Sequence, residues 1–301
     1  MALPLADLIA ALPCAQVHRD TDVIVGAIAC DSRRVVPGTL FVAYRGGWAD
    51  GHDYIPQALA NGAVALVVER SGEAWGVPAI VVPNGREALA YLSSAWYGFP
   101  ARKLTVVGVT GTDGKTTTCN LLHSMLTQAG RSVGLISTVN AVIGDVVMDT
   151  GLHTTTPDAP DVQRYLAEMV AAGMEIAVLE ATSEGLAQHR LSACDFDVAV
   201  VTNITYEHLY FHRTLEAYRE AKAMLFRHLA RGQRKPGVSK VAVLNADDDS
   251  FRYLSDIEAD RRLTYSVSGV ADVSTAGIRG SAAGTRFVVQ SPATTFELRT
   301  A

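Results

Sequence analysis

Cysteine is scarce, and its placement excludes much. Cys14, Cys30, Cys119 and Cys194 are scattered, with no CxxC pair for zinc or dithiol chemistry. They read as reduced, semi-buried thiols. HExxH is also absent. His208 and His212 would share a helix face, but no third ligand stands at zinc spacing. No uncharged run reaches the roughly 18 residues that a membrane span needs. The apolar start, 1–13, lacks a basic segment and carries Asp7, so it reads as a helix and not a signal peptide. Positive charge is not in excess. The net charge of −5 argues against a nucleic-acid binder.

What is present suits ordinary globular cores: 49% hydrophobic and 19% charged residues over 301 positions, enough for about two domains. Residues 1–98 read as a small α/β domain. Its strands are expected over 23–30, 39–44, 64–69 and 79–82, and its helices over 54–61 and 87–97. Pro100 and the polar Ala101-Arg102-Lys103 mark the boundary. Residues 99–301 then read as an α/β domain with a parallel sheet. Strands are expected over 104–109, 132–137, 175–180, 198–202 and 241–245, with helices over 116–129, 161–172 and 215–229 between them. A hairpin should pivot on Gly144-Asp145. After Asp249, short antiparallel strands are expected over 262–267, 277–279, 286–289 and 295–298.

The stretch Val107-Gly108-Val109-Thr110-Gly111-Thr112-Asp113-Gly114-Lys115-Thr116-Thr117-Thr118 organises the second domain. A strand, a Gly-rich turn, Lys-Thr and a helix describe a phosphate cradle. Lys115 can reach terminal phosphates, and the Thr116 hydroxyl can ligate Mg²⁺. The common GxxxxGK[ST] spacing would put Gly at 109, where this chain has Val109. Ligands in parallel sheets sit beyond the carboxyl ends of strands. Glu180 and Asn203 fall at such ends, beside the loop. Glu180 could hold Mg²⁺, directly or through water, or be a solvated strand terminus. Lys222 borders an apolar stripe of Leu215, Tyr218, Ala221, Leu225 and Leu229. By itself it reads as an exposed lysine pairing with Tyr218 or Glu220.

These pieces together resemble the Mur ligases. Gly-x-Thr-Gly-Thr-Asp-Gly-Lys-Thr-Thr looks like their ATP loop, which accounts for Val109. In the first domain, Asp31-Ser32-Arg33, Pro37-Gly38, Leu40-Phe41-Val42-Ala43 and Asp50-Gly51-His52-Asp53-Tyr54-Ile55 resemble their UDP-binding domain. Thr155-Thr156-Pro157, Glu180 to Leu186, Thr202-Asn203, Glu207-His208 and Ala221-Lys222 favour the members that add a third amino acid to UDP-N-acetylmuramoyl-L-Ala-D-Glu. The resemblance implies a cytoplasmic ATP-dependent amide-bond ligase of peptidoglycan assembly, working through an acyl phosphate. Its partners would be that nucleotide dipeptide, ATP and a free amino acid, with Mg²⁺ as cofactor. Gly111, Thr112, Asp113, Gly114, Lys115, Thr116 and Thr117 would bind ATP. Thr116, Glu180, His208 and a carbamylated Lys222 would hold Mg²⁺, and Lys115, Lys222 and His208 would serve the chemistry. Ser32 and Gly47-Trp48-Ala49 would contact the uridine diphosphate. Thr155, Thr156, Thr182, Gln188 and Arg190 would contact the muramoyl dipeptide.

The chain departs from the pattern at Asp113, Glu184, Tyr210 and Arg213, where Asn, His, Asp and Gly are commoner. The family's C-terminal amino-acid-binding domain is not found in these 301 residues. They are therefore expected to bind ligands without forming the amide. Rival expectations are the ligase that adds D-Ala-D-Ala to the tripeptide, and a non-catalytic remnant that binds the UDP-sugar or ATP. A folate-type polyglutamate ligase shares the ATP loop but not the first domain.

Overall fold

The computed structural model describes residues 2–18, 21–47, 49–70, 75–149, 156–205, 209–282 and 284–300. Trp48, Thr155 and His208 lie outside these residues. The chain forms two compact units. Residues 1–101, 157–168 and 188–194 make the first, and the remainder makes the second.

The first unit is built on a five-stranded sheet. Its strands are β1 (Gln16–His18), β2 (Ala27–Ala29), β3 (Thr39–Val42), β4 (Ala63–Val68) and β5 (Ala79–Val81), in the order β1-β5-β4-β3-β2. Only the β1–β5 pair is antiparallel. Successive side chains on a strand point to opposite faces. Leu40, Val42, Ala65 and Val67 therefore enter one core with Leu89 and Leu92 of helix α1 (Gly85–Trp96). Phe41, Ala43, Leu66 and Val68 enter another, with Ile55 and Ala58 of the helix Ile55–Ala60. Burial on both faces explains why β3 and β4 read as unbroken apolar runs. The expected strand over 23–30 is two short ones, Ile24–Val25 and Ala27–Ala29, parted at Gly26.

The second unit holds an eleven-stranded sheet. Its strands are β6 (Thr105–Thr110), β7 (Val133–Ile136), β8 (Asn140–Ile143), β9 (Val146–Asp149), β10 (Ile176–Glu180), β11 (Val198–Val201), β12 (Val241–Asn245), β13 (Arg261–Ser266), β14 (Val273–Ser281), β15 (Gly284–Gln290) and β16 (Thr295–Thr300). The order is β9-β8-β7-β10-β6-β11-β12-β13-β14-β15-β16. β7 through β14 along this order pair in parallel, and the two ends are antiparallel meanders. Hence the strand expected as antiparallel over 262–267 is parallel to its neighbours. The reason is the short helix Ser250–Ser255, which returns the chain as a crossover between β12 and β13. Of the strands after Asp249, β14 to β16 form the antiparallel section.

β6 lies inside the sheet, between β10 and β11. Val107 and Val109 pack on one face with Cys119 of helix α2 (Lys115–Gln128). On the other face the backbone at Gly108 is approached closely. A Cβ there would stand 2.6 Å from Leu225 Cδ1 and 2.7 Å from Phe196 Cε1. Leu225 belongs to helix α3 (Leu215–Arg231). Thr214 caps α3 by accepting from Ala217 N at 3.1 Å. Tyr218, Ala221, Lys222, Leu225, Phe226 and Leu229 form its buried face, spaced three and four apart as a helix demands.

Arg213, where the Mur pattern has Gly, adopts φ +63° just before that cap. An L side chain there costs about 1–2 kcal/mol. Arg213→Gly should therefore raise stability by roughly 0.5–1 kcal/mol after glycine's extra unfolded-state entropy is subtracted. Urea titration of both proteins checks this, and a destabilised variant would contradict it.

Candidate functional site

The second unit's site is assembled at the carboxyl ends of β6, β10 and β11. The three glycines of the loop do different work. Gly108 is inside β6 and serves packing. Gly111 has φ +149°, and a Cβ there would collide with Thr202 Oγ1. Gly114 has φ +79° and stands at the N-cap of α2. Only glycine meets these two backbone demands cheaply.

The turn between them is held from three sides. Thr112 N donates to Asn203 O at 2.7 Å, and Asp113 N to Asn203 Oδ1 at 3.1 Å. Three successive carbonyls are taken by donors. Lys222 Nζ donates to Gly111 O, Lys115 Nζ to Thr112 O at 2.6 Å, and Thr202 Oγ1 to Asp113 O at 2.6 Å. Two of the three donors are cationic side chains. Pinning these oxygens reduces the negative potential that an incoming phosphate would meet.

Glu180 ends β10 and is 3% exposed. Its carboxylate accepts from Thr116 Oγ1 at 2.9 and 3.0 Å and from Thr138 N at 2.9 Å. The alternative of a solvated strand terminus is thus overturned. Among the described residues no cluster of three His, Cys, Asp or Glu forms. Mg²⁺ does not need one, because it keeps several waters and takes one or two carboxylates. The adjoining Thr116 hydroxyl and buried Glu180 carboxylate are hard oxygen donors that fit it. Thr117, at the exposed side of the first turn of α2, completes the loop residues.

Lys222 is 1% exposed, which overturns its reading as an exposed lysine. Its Nζ lies 4.3 Å from the centroid of the Tyr218 ring. The phenol of Tyr218 is 3.0 Å from Thr112 Oγ1. His212 is buried and packs edge-on against the Tyr218 ring. Burial pushes the Cys119 thiol well above its usual range, and the Glu180 carboxylate adds to this. Cys119 is therefore a core residue and no nucleophile. Thr156 and Thr182 are both buried, with their hydroxyls 2.9 Å apart, and Thr182 Oγ1 accepts from Gly185 N. Glu184 sits in the same short helix, Ser183–Ala187.

Cavities open among the described residues of the first unit. One, of about 450 Å³, is lined by Asp31, Ser32, Tyr44, Gly46, Ala49 and Gln57, among others. Ser32 Oγ donates to Gln57 Oε1 at 2.7 Å. The loop at its rim closes on itself, Gly46 N donating to Ala49 O at 2.8 Å. Gly47 is exposed at its tip. A second cavity, of about 230 Å³, is lined by Arg34, Tyr44, Arg86, Arg164, Gln188 and Arg190, among others. Gln188 Oε1 accepts from Arg86 and Arg190, and Arg190 pairs with Asp158 at 3.3 Å. Ser32 and Ala49 thus share one cavity, and Gln188 and Arg190 share another.

Sequence reasoning missed the bracing of the first loop. His52 is 5% exposed. It hydrogen-bonds Asp50 through Nδ1 at 2.5 Å and accepts from Glu69 N through Nε2. The Glu69 carboxylate in turn accepts from Arg45 N and Gly85 N. The Asp-x-His spacing was visible in the sequence, but Glu69 stands 17 residues further on, just past the end of β4.

A parallel sheet with a glycine-shaped turn, a lysine and a threonine–carboxylate pair at the carboxyl ends of its strands defines the class: an α/β domain of the phosphate-loop pattern. Known proteins sharpen this. Residues 109–301 match the Mur ligase middle domain, and residues 25–97 match the Mur ligase family catalytic domain. The chain belongs to the Mur ligase family. It is 47% identical over 279 residues to a UDP-N-acetylmuramyl-tripeptide synthetase of Roseiflexus sp. (strain RS-1), covering 89% of this chain and 54% of the relative. It is 40% identical over 300 residues to a UDP-N-acetylmuramoyl-L-alanyl-D-glutamate–2,6-diaminopimelate ligase of Geobacillus thermodenitrificans (strain NG80-2), covering 99% and 60%. A solved structure of a ligase of that name superposes with a TM-score of 0.82 at 29% identity, over 99% of this chain and 59% of the other. A MurF ligase from Thermotoga maritima in complex with ADP gives 0.53 at 27%, over 91% and 57%. The chain thus spans little more than half the length of these relatives.

Proposed function

We propose that this chain supplies the nucleotide- and UDP-sugar-binding parts of an ATP-dependent, cytoplasmic ligase. Its substrate would be UDP-N-acetylmuramoyl-L-Ala-D-Glu, extended by one amino acid. The observation that carries the reading is the Thr116–Glu180 pair at the mouth of the Gly111–Gly114 turn, with Lys115 and Lys222 on its carbonyls. It sets hard oxygen donors and the Lys115 ammonium beside the mouth of the turn, where a triphosphate would lie. The similarity to tripeptide-forming ligases, at up to 47% identity, supports this step over addition of D-Ala-D-Ala.

In the reaction the substrate carboxylate attacks the terminal phosphorus of ATP, and ADP leaves. The resulting acyl phosphate is attacked by the amine of the incoming amino acid, and inorganic phosphate leaves. Lys115 would swing from Thr112 O to the transferred phosphate, a charge-assisted contact. Bound Mg²⁺, held by Thr116 and Glu180, would neutralise the charge gathered where triphosphate meets carboxylate. His208 is proposed as a further ligand. Lys222 as a carbamate would be an anion able to help hold Mg²⁺, in place of its present bond to Gly111 O. Ser32, Gly47, Trp48 and Ala49 would orient the uridine diphosphate, and Thr155, Thr156, Thr182, Gln188 and Arg190 the dipeptide. Positioning and charge are the whole of the protein's contribution.

Calorimetry of this chain with Mg·ATP, with the UDP-muramoyl dipeptide and with the corresponding tripeptide tests the reading. Binding of the first two in preference to the third is expected. Preference for the tripeptide would favour the D-Ala-D-Ala step, and absence of all three would end the proposal.

A further inference from the structure

We propose that Tyr218 is a positioning residue for the phosphate loop, a strut that ties it to the helix bearing Lys222. Its functional consequence rests on the nucleotide reading above, whereas its geometry does not. Tyr218 is fully buried on α3. A buried phenol costs free energy unless its hydroxyl is bonded. Here the hydroxyl stands 3.0 Å from Thr112 Oγ1, an oxygen that also accepts from Thr205 N at 2.9 Å. One helical turn on, Lys222 bonds Gly111 O. Two adjacent loop residues are thus held by two residues four apart on one helix. In the unmodified chain the face of the Tyr218 ring lies 4.3 Å from Lys222 Nζ, a cation–π contact beside the strut. The His212 ring abuts the same phenol at 5.3 Å and limits its tilt. Phenylalanine would fill the same volume and offer the same ring to Lys222. The hydroxyl is the part that reaches the loop, so the burial of α3 does not by itself explain it.

Tyr218→Phe separates the strut from the packing. In the chain without nucleotide, amide hydrogen exchange of the 111–114 segment should speed roughly three- to tenfold, the effect of one lost hydrogen bond. Exchange in β6 before the loop should stay unchanged, and so should the melting temperature within a few degrees. The dissociation constant for Mg·ATP should rise by a similar factor. In a Thr112→Val background the same substitution should have little further effect, because the bond is already gone. Unchanged exchange in 111–114, or additive effects in the cycle, would overturn the proposal. Faster exchange in a chain that binds no Mg·ATP would uphold the strut and remove the nucleotide reading instead. If Tyr218→Phe does not fold, exchange of the same segment in Thr112→Val decides: faster exchange there upholds the strut, and unchanged exchange overturns it.

Discussion

Asp197→Asn should cost about 3–5 kcal/mol of stability, as removal of one member of a buried ion cluster typically does. Asp197 is 0% exposed, at the end of the sheet opposite to the phosphate loop. Lys235 Nζ pairs with its Oδ2, and Lys240 Nζ with its Oδ1 at 3.1 Å. Oδ2 also accepts from Val106 N at 2.9 Å, so the carboxylate bridges the start of β6 to both lysines. Lys235 donates further to Leu104 O and Asp195 O, and Lys240 to Phe196 O and Gln233 O. The cluster therefore gathers β6, β11 and the approach to β12 at one point. With one anion between two cations, it has no spare negative charge. Neutralising Asp197 would leave two ammonium groups in the interior bonded only to carbonyls, with Asp195 the one further carboxylate felt by Lys235.

The pH dependence of that loss has a definite sign. Burial already holds Lys235 below the usual lysine range. Without Asp197 this depression deepens. Between the lowered folded value and 10.5 the unfolded chain binds more protons than the folded one, so the variant regains stability as pH rises through that window. Urea titration at neutral pH and again near pH 9.5 reads both effects. A loss under about 1 kcal/mol at neutral pH would show that the cluster is solvated and not a buried one. Replacing all three by Leu, Met and Met should cost less than Asp197→Asn alone, because no charge is then left unpaired.

The second large effect is on ligand binding. Lys115→Met should weaken Mg·ATP binding roughly 10- to 100-fold, the value of one hydrogen bond to a charged group. Stability should change little, since Lys115 is only half-buried and gives one bond to Thr112 O. Glu180→Gln should act differently. It removes the anion that Thr116 and Thr138 surround, so the affinity for ATP should lose its dependence on Mg²⁺. Titrating ATP at several Mg²⁺ concentrations distinguishes the two variants. A Glu180→Gln protein that keeps the full Mg²⁺ dependence would remove Glu180 from the proposed metal site.

Much of the fold was legible because it is local. β12 was expected over the residues it occupies, and the helix over 215–229 extends by two residues to Arg231. The parallel sheet followed from alternation of strands and helices. The direction of β13 did not, because Ser250–Ser255 is too short to announce a crossover by its periodicity. The site was legible at its backbone. Gly111 and Gly114 and the Lys-Thr start of a helix imply a turn of one kind, and it is there. The side chains that brace it were not legible in that role. Asn203 was placed at a strand end, and Tyr218 was read as part of an apolar stripe and as a partner for Lys222, not as a brace of the loop.

The sequence by itself determined the glycine-rich loop and the family, since each is written in contiguous residues with fixed spacing. The division at 98/99 was only partly right: the first unit also takes in 157–168 and 188–194, which only long-range packing can assign. Tertiary structure alone decided the state of Glu180 and Lys222. By itself Lys222 read as exposed, and Glu180 was left open between a metal ligand and a solvated strand terminus, because a carboxylate or an ammonium is usually left in water. They are buried because Thr116, Thr138, Gly111 and Tyr218, brought from separate stretches of chain, supply the hydrogen bonds and the ring face that offset their desolvation.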